Sequence, residues 1–130
     1  MNFEQARFNM VEQQIRPWDV LDTSILDLLF HVKREDFVPV EKRLLAFVDT
    51  QLPLENGSTM LEPKVEARLL QDLQVKASDK VLEVGTGSGY LTALLAAVSQ
   101  HVYSVDLDAE QSERAAANLK TAGIRNVTLS

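Results

Sequence analysis

The sequence contains no cysteine, only one tryptophan, and no long apolar run. Without cysteine, disulfide bonds, iron–sulfur clusters and cysteine-ligated zinc sites are excluded. A membrane-spanning helix needs about 20 consecutive apolar residues, and no stretch of this chain approaches that length. Residues 1–4 lack the basic and then apolar pattern of a signal peptide, so we expect a cytoplasmic protein that is not exported.

Positive charge is also scarce. The chain has 13 Lys and Arg against 19 Asp and Glu, which gives a net charge of −6 at pH 7. An acidic chain repels phosphate backbones, so nucleic acid is not an expected partner, and no membrane partner is expected either. The hydrophobic fraction of 45% is typical of a globular protein, and a chain of this length can bury a real core.

The pattern of the chain changes near residue 63. Before residue 63 we predict three short helices with prolines between them. The first covers residues 3–15, the second begins after an N-cap at Asp22 or Thr23, and the third lies around residues 40–47. Residues 48–63 are predicted to be loop with some extended structure. After it, strands and helices alternate, which is typical of parallel crossovers in an α/β sheet. The predicted elements are helix 64–73, strand 80–84, helix 90–98, strand 101–105, helix 109–122 and strand 126–129.

Three of the five glycines stand at alternate positions, Gly85, Gly87 and Gly89, between a predicted strand and a predicted helix. Glycine lets a ligand approach the backbone closely, and the free N–H groups of the following helix point toward that ligand. A tight strand-to-helix turn alone would also explain these glycines. The Gly-x-Gly-x-Gly spacing differs from the Gly-x-Gly-x-x-Gly fingerprint of dinucleotide-binding proteins, which disfavours an NAD-dependent oxidoreductase.

Two acidic residues lie at the ends of the neighbouring strands. Glu83 is two positions before the first glycine, and Asp106 closes the next strand, 23 positions after Glu83. A carboxylate at the second place can accept hydrogen bonds from both hydroxyls of a ribose. Solvated charges at strand ends are the alternative explanation, which the intervening glycines make less attractive.

The segment around the three glycines resembles the cofactor loop of class I S-adenosylmethionine-dependent methyltransferases, and the match extends over residues 80–130. The resemblance implies a Rossmann-like α/β fold, S-adenosylmethionine as cofactor and S-adenosylhomocysteine as product. It places Glu83 near the methionine end of the cofactor, the glycine loop beside ribose and methionine, and Asp106 on the ribose, with no metal site. The implied cofactor-binding residues are Glu83, Gly85, Thr86, Gly87, Ser88, Gly89, Asp106 and Leu107.

The N-terminal part carries a second resemblance, to the protein-L-isoaspartate O-methyltransferase family. It rests on segments 10–17, 34–39, 46–49 and 52–54 followed by Gly57, which occur in that order. The family has a helical cap in front of the methyltransferase sheet. The resemblance therefore implies a cap and active-site loop over residues 1–63, and the first half of the S-adenosylmethionine-binding domain over residues 64–130.

The family methylates the free α-carboxylate of isoaspartyl residues in damaged protein. A protein or peptide carboxylate is thus the implied substrate, and protein repair the implied role. A carboxylic acid with a pKa of about 4 is ionised at neutral pH, so this chemistry needs no general base. Catalysis is mostly alignment of the acceptor oxygen with the methyl carbon. Neither a catalytic triad nor a metal cluster is expected.

The active-site segment departs from the family pattern Gly-x-Thr-Ile-Ser-Gln-Pro. Residues 57–63 read Gly-Ser-Thr-Met-Leu-Glu-Pro, so Leu61 replaces the serine implicated in catalysis. Glu62 replaces a neutral amide and tends to repel an anionic acceptor. Thr59 and Ser58 remain the candidate catalytic side chains. The alternative is a family member that binds the cofactor but has lost isoaspartyl activity or uses another acceptor.

The family sheet has seven strands, and this chain supplies about three of them. We therefore expect an incomplete parallel sheet, belonging to the N-terminal portion of a longer protein. The strand at 80–84 would then be an exposed edge. Unpaired apolar edges recruit partners, which predicts self-association through this edge or through uncovered helix faces.

Overall fold

A computed structural model describes residues 2–130 as an α/β chain with five α-helices and five strands. The helices are α1 (Phe3–Met10), α2 (Thr23–His31), α3 (Pro63–Leu73), α4 (Tyr90–Val98) and α5 (Ala109–Thr121). The strands are β1 (Leu52–Pro53), β2 (Thr59–Met60), β3 (Lys80–Val84), β4 (His101–Val105) and β5 (Val127–Leu129). The sequence-based fold class is thereby confirmed.

The larger sheet has three parallel strands in the order β3-β4-β5. The helices α4 and α5 provide the crossovers between them, as the strand–helix alternation predicts. The bounds of β3, α4 and β4 agree with those predicted from the sequence. The helix α5 ends at Thr121, one residue early, and Gly123 follows with φ of +76°. The strand β5 begins at Val127 rather than at residue 126.

The two faces of this sheet differ in burial. Successive side chains of a strand point to opposite faces, and on one face Val102 and Ser104 are fully buried. On the other face Leu82 and Val84 are 68% and 80% exposed. Within the described residues β3 is an edge strand, as expected, and self-association through it remains a prediction.

The N-terminal part departs from the sequence prediction. The helix predicted over residues 3–15 is wrong beyond Met10, where the α-helical turn widens into a π-helical segment, Val11–Ile15, and then a 3₁₀ turn, Arg16–Trp18. The widened turn places both Val11 and Ile15 in the core, at 2% and 0% exposure. Burial thus overrides the regular helical repeat.

Further short elements belong to the N-terminal part, including a 3₁₀ helix over Arg34–Phe37. The helix predicted around residues 40–47 is a 3₁₀ helix over Val40–Leu45. The extended structure expected within residues 48–63 is a two-residue antiparallel pairing of β1 with β2. The prediction that Asp22 or Thr23 caps the second helix is confirmed for Asp22, whose side chain accepts a hydrogen bond from the backbone N–H of Ser24.

One hydrophobic cluster includes residues from both sides of residue 63, for example Ile15 and Phe37 from the cap and Leu94 and Val102 from the sheet. The cap and the sheet are therefore packed together, and the division at residue 63 stays a prediction. Among the helices within residues 2–130, none is both long and apolar enough to span a membrane.

Candidate functional site

The glycine loop leaves β3 at its carboxyl end and enters α4. The backbone N–H of Gly85 donates to the carbonyl of Val105 at 2.7 Å, which ties the loop to the end of β4. Gly89 has φ of +90°, and a Cβ there would lie 3.4 Å from Cβ of Ala115. Since that is an ordinary contact distance, the positive φ rather than lack of space explains the glycine at position 89, while Gly87, with φ of +56°, turns the loop.

Asp106 is fixed against this loop by both of its carboxylate oxygens. Oδ2 accepts a hydrogen bond from the backbone N–H of Gly87 at 3.0 Å, and Oδ1 accepts one from the backbone N–H of Asp108 at 2.9 Å. Each oxygen retains a lone pair for a further donor. The carboxylate is therefore oriented before any ligand arrives.

Glu83 is buried at the end of β3 and is held by hydroxyl groups. Its Oε1 accepts hydrogen bonds from the hydroxyl of Thr92 and, at 2.7 Å, from that of Ser104. The hydroxyls of Ser104 and Thr86 lie 2.6 Å apart and share a further hydrogen bond. Burial raises the pKa of Glu83, and the two hydroxyl donors oppose that shift. The side chain is thereby locked in one orientation.

Two cavities adjoin the loop. The larger, of about 500 Å³, lies at the carboxyl ends of β3 and β4. Its walls include Ser58 and Thr59 from the cap, and Gly85, Gly87, Asp106 and Leu107 from the sheet. The smaller, of about 90 Å³, includes Thr59, Leu61, Glu66, Glu83, Thr86 and Ser88 in its walls. The cap segment 58–61 thus forms the wall opposite the glycine loop.

The structure brings together seven of the eight residues predicted to bind the cofactor. The exception is Gly89, which lines neither cavity and instead packs against α5. Leu107 is fully exposed at the edge of the larger cavity, whereas the hydroxyl of Thr86 is turned inward to Ser104. Direct cofactor contact stays a prediction for all eight.

Of the predicted catalytic side chains, Thr59 lines both cavities. Ser58 lines the larger one, is exposed, and donates its hydroxyl to Oδ1 of Asn56. Leu61 lines the smaller cavity, and Glu62 occupies the N-cap position of α3 without capping it. Of the residues that depart from the family pattern, Met60 and Leu61 therefore line the smaller cavity, and Glu62 follows them directly in the chain.

Sequence reasoning missed an ion pair beneath the smaller cavity. Nη2 and Nε of Arg34 donate to Oε1 of Glu66 at 2.9 and 3.3 Å, and both residues are buried. Burial raises the pKa of Glu66 to about 7, against the opposing effect of Arg34. A signal existed: Glu66 lies one helical turn before the buried Leu70, on the apolar side of α3.

A second missed group holds the glycine loop from α5. The side-chain amide of Gln111 donates to the carbonyl of Gly87 at 2.8 Å, and its oxygen accepts from Arg114 at 2.9 Å. Arg114 also pairs with Glu55, which lies in the β1–β2 connection. No local pattern distinguishes Gln111 from the exposed polar residues of an amphipathic helix.

Comparison with known proteins places this geometry in context. The family model described as protein-L-isoaspartate(D-aspartate) O-methyltransferase (PCMT) matches residues 5–130. A Petrotoga mobilis protein named protein-L-isoaspartate O-methyltransferase is 36% identical over 129 residues, which cover 99% of this chain and 61% of that protein. An Aeropyrum pernix protein of the same name is 41% identical over 128 residues, covering 96% of this chain and 49% of that one.

Solved structures agree on the fold. A protein-L-isoaspartate O-methyltransferase structure superposes with a TM-score of 0.75 at 24% identity, over 98% of this chain and 41% of that chain. A Plasmodium falciparum structure is described as a putative protein-L-isoaspartate O-methyltransferase in complex with S-adenosyl-L-homocysteine. It superposes with a TM-score of 0.74 at 20% identity, over 100% of this chain and 62% of that chain. The chain spans about half to three-fifths of the length of the curated relatives it matches.

Proposed function

The chain belongs to the protein-L-isoaspartate(D-aspartate) O-methyltransferase family, and on that premise we propose the function of the whole protein. It transfers a methyl group from S-adenosylmethionine to the free α-carboxylate of isoaspartyl residues in damaged proteins. The relatives with 36% and 41% identity are both named protein-L-isoaspartate O-methyltransferase. That agreement favours isoaspartyl activity over the alternative of a member with a different acceptor.

The observation that carries the proposal is the larger cavity, where the cap segment faces the glycine loop. Its volume of about 500 Å³ lies in the range of small-molecule sites. Asp106 and Asp108 line it, and among the described residues no Lys or Arg does. An acidic wall suits a ligand that has a positive sulfonium and no phosphate. The residues present therefore fit S-adenosylmethionine.

When bound, this cofactor supplies a methyl group activated by its positive sulfur. Asp106, already oriented by Gly87 and Asp108, would accept the ribose hydroxyls. Glu83 has one oxygen occupied by Thr92 and Ser104, and within residues 2–130 its Oε2 has no hydrogen-bond donor. We therefore propose that this oxygen would hold the ammonium of the methionine moiety.

The acceptor needs alignment rather than activation because a carboxylate is already a nucleophile at neutral pH. Thr59 lines both cavities, so its hydroxyl is the first candidate to orient the acceptor oxygen, with Ser58 the second. Leu61 supplies an apolar part of the wall of the smaller cavity. The raised pKa of Glu66 leaves it partly protonated at neutral pH, which lessens repulsion of an anionic acceptor.

Binding of S-adenosylhomocysteine is the first test. Calorimetry on this chain, and on a chain extended to the length of its relatives, is expected to show binding that Gly87→Val or Asp106→Ala abolishes. Asp72→Ala is the matched control, because Asp72 is an exposed partner of Arg68 on α3. Unchanged binding in the Gly87→Val and Asp106→Ala variants would contradict the assigned cofactor site.

Methyl transfer is the second test. The extended chain is expected to methylate a peptide that contains isoaspartate and not the same peptide with aspartate. The Thr59→Val variant should lose most of this activity while keeping its affinity for S-adenosylhomocysteine. An extended chain that binds S-adenosylhomocysteine but leaves the isoaspartyl peptide unmethylated would refute the proposed acceptor.

Three further assignments are part of the proposal. We infer a cap and active-site loop over residues 1–63 and the first half of the cofactor domain over residues 64–130. We also propose a cytoplasmic location, as expected from the sequence.

We further propose self-association through the edge strand β3, where Leu82 and Val84 are exposed. Sedimentation of this chain at increasing concentration tests it, and a monomer throughout would contradict it.

A further inference from the structure

The segment that faces the glycine loop has little regular structure to hold it. Its only strand pairing is the two-residue contact of β1 with β2. Backbone carbonyls in such a segment must find donors elsewhere, since a buried unpaired carbonyl costs free energy. In the chain before this segment, side chains likewise donate to backbone carbonyls: Gln14 to that of Phe47 at 2.8 Å, and Lys42, at an exposed position, to that of Pro53 at 2.7 Å.

Arg34 donates to the end of segment 58–61 itself. Its Nη1 donates to the carbonyl of Ala46 at 2.7 Å, and its Nη2 to the carbonyl of Leu61, also at 2.7 Å. Glu66 holds the same guanidinium from α3, and the ring of Tyr90, the first residue of α4, lies 5.4 Å from Cζ. One buried side chain thus joins the cap, the cavity wall and both helices that flank the site.

We propose that Arg34, held by Glu66, is the positioning residue that fixes segment 58–61 against the glycine loop. The planar guanidinium reaches two carbonyls and a carboxylate at once, which a lysine ammonium on a flexible stem cannot reproduce in the same plane. The carbonyl of Leu61 follows directly on β2, so its fixation sets the placement of Thr59 two residues earlier. Arg34 touches neither cavity itself and acts through the backbone.

The molecule contains its own matched control. Arg7 and Glu35 form a second buried pair, with two hydrogen bonds of 2.8 and 2.7 Å, and Cζ of Arg7 lies 5.1 Å from the Phe47 ring centre. This pair makes no hydrogen bond to segment 58–61. A variant at Arg7 therefore reports the general cost of disturbing a buried arginine.

The experiment compares Arg34→Lys with Arg7→Lys by hydrogen–deuterium exchange on this chain. Loss of one hydrogen bond from a charged donor corresponds to about a tenfold change in local opening. Arg34→Lys is thus expected to accelerate exchange in residues 58–62 by about tenfold, and Arg7→Lys by less than about twofold. Glu66→Gln, which keeps an oxygen for Arg34, should stay close to the unmodified chain.

The kinetic arm rests on the proposed function and uses the extended chain with an isoaspartyl peptide. Arg34→Lys should raise KM for the peptide by about tenfold and leave the affinity for S-adenosylhomocysteine within about threefold. If the unmodified extended chain methylates no isoaspartyl peptide, the proposed function fails, and the exchange comparison alone decides the positioning role. The inference would be overturned if residues 58–62 exchanged at the same rate in the two lysine variants. It would also be overturned if Arg34→Lys exchanged there no faster than the unmodified chain.

Discussion

Two buried arginine–glutamate pairs stabilise different parts of this chain, and they behave differently. Arg7 and Glu35 lie within the cap, where each terminal nitrogen of the arginine meets its own carboxylate oxygen. Arg34 and Glu66 lie where the cap meets the sheet, and there a single glutamate oxygen accepts both hydrogen bonds. Arg34 also donates to the backbone carbonyls of Ala46 and of Leu61, which lines the smaller cavity.

The surroundings of each glutamate decide its protonation. Burial opposes ionisation of Glu35, yet the hydrogen bonds and charge of Arg7, aided by Lys33, leave its pKa below the usual value. Burial of Glu66 prevails over Arg34, with help from the negative charges of Glu83 and Glu62, and its pKa is raised. The same two residue types thus form a pair whose glutamate ionises more readily than usual in one place, and a pair whose glutamate ionises less readily in the other.

The largest expected effect comes from breaking the buried ion pair of Arg7 and Glu35. Glu35→Leu leaves the guanidinium of Arg7 buried with only the exposed Glu4 nearby. Removing one partner of a buried pair costs about 3–5 kcal/mol in the free energy of unfolding. Urea denaturation measures it, with Glu4→Gln as the control. The two variants having the same cost would contradict the distinction drawn between buried and exposed partners.

Next in size is the pH dependence of Glu66. Because its pKa is raised from 4.5 to about 7 in the folded chain, the folded state binds this proton more tightly than the unfolded state. The stabilisation that protonated Glu66 gives the folded state is complete below pH 4.5 and is lost as pH rises to about 7. Relative to Glu66→Gln, the unfolding free energy should fall by at most about 3 kcal/mol over that window.

The groups that face Glu66 are Arg34, Glu83, Glu62 and Tyr90, so Glu66→Gln changes one charge among several. Urea denaturation of both proteins across the window measures the difference between them. Glu35 should show the opposite sign, with stability present above its ordinary pKa and lost on acidification, because its pKa is lowered. A difference between the chain and Glu66→Gln that does not vary with pH would count against the raised pKa.

A third buried carboxylate, that of Glu83, is held by two hydroxyl groups instead of an arginine. It therefore extends the comparison to a pairing without a positive charge. Thr92→Val removes one of its two hydroxyl donors and leaves Ser104. The expected loss in the free energy of unfolding is about 1.5–3 kcal/mol, the range for a hydrogen bond to a charged group. Thr128→Val is the matched control, since the hydroxyl of Thr128 bonds to His101 at an exposed site. Similar losses for both variants would argue against a stabilising role of the hydroxyls.

The smallest effect is expected at an exposed pair. Arg16 and Glu12 approach to 3.8 Å, and both side chains are nearly half exposed. Arg16→Gln should change the free energy of unfolding by less than about 0.5 kcal/mol, since solvent screens the attraction. Thermal denaturation measured at low and high salt checks this. A loss comparable with that of Glu35→Leu would show that burial is not what separates the pairs.

The sheet half could be predicted from sequence because its signals are local. The strand at 80–84, the helix at 90–98 and the strand at 101–105 each follow from a short hydrophobic pattern and a glycine or polar boundary. Glu83 and Asp106 could be assigned to the site because parallel strands end at the same edge of a sheet. The cap was less predictable: burial of Val11 and Ile15 widens a helix that the periodicity alone extends regularly.

The sequence by itself determined the α/β alternation, the glycine turn and the acidic residues at the strand ends, since these depend on neighbours within a few positions. Only the tertiary structure decided which arginine meets which glutamate, across 28 positions for Arg7 and 32 for Arg34. It also decided the opposite directions of the pKa shifts of Glu35 and Glu66. Burial and the sum of nearby charges set those directions, and both quantities exist only once distant segments have packed together.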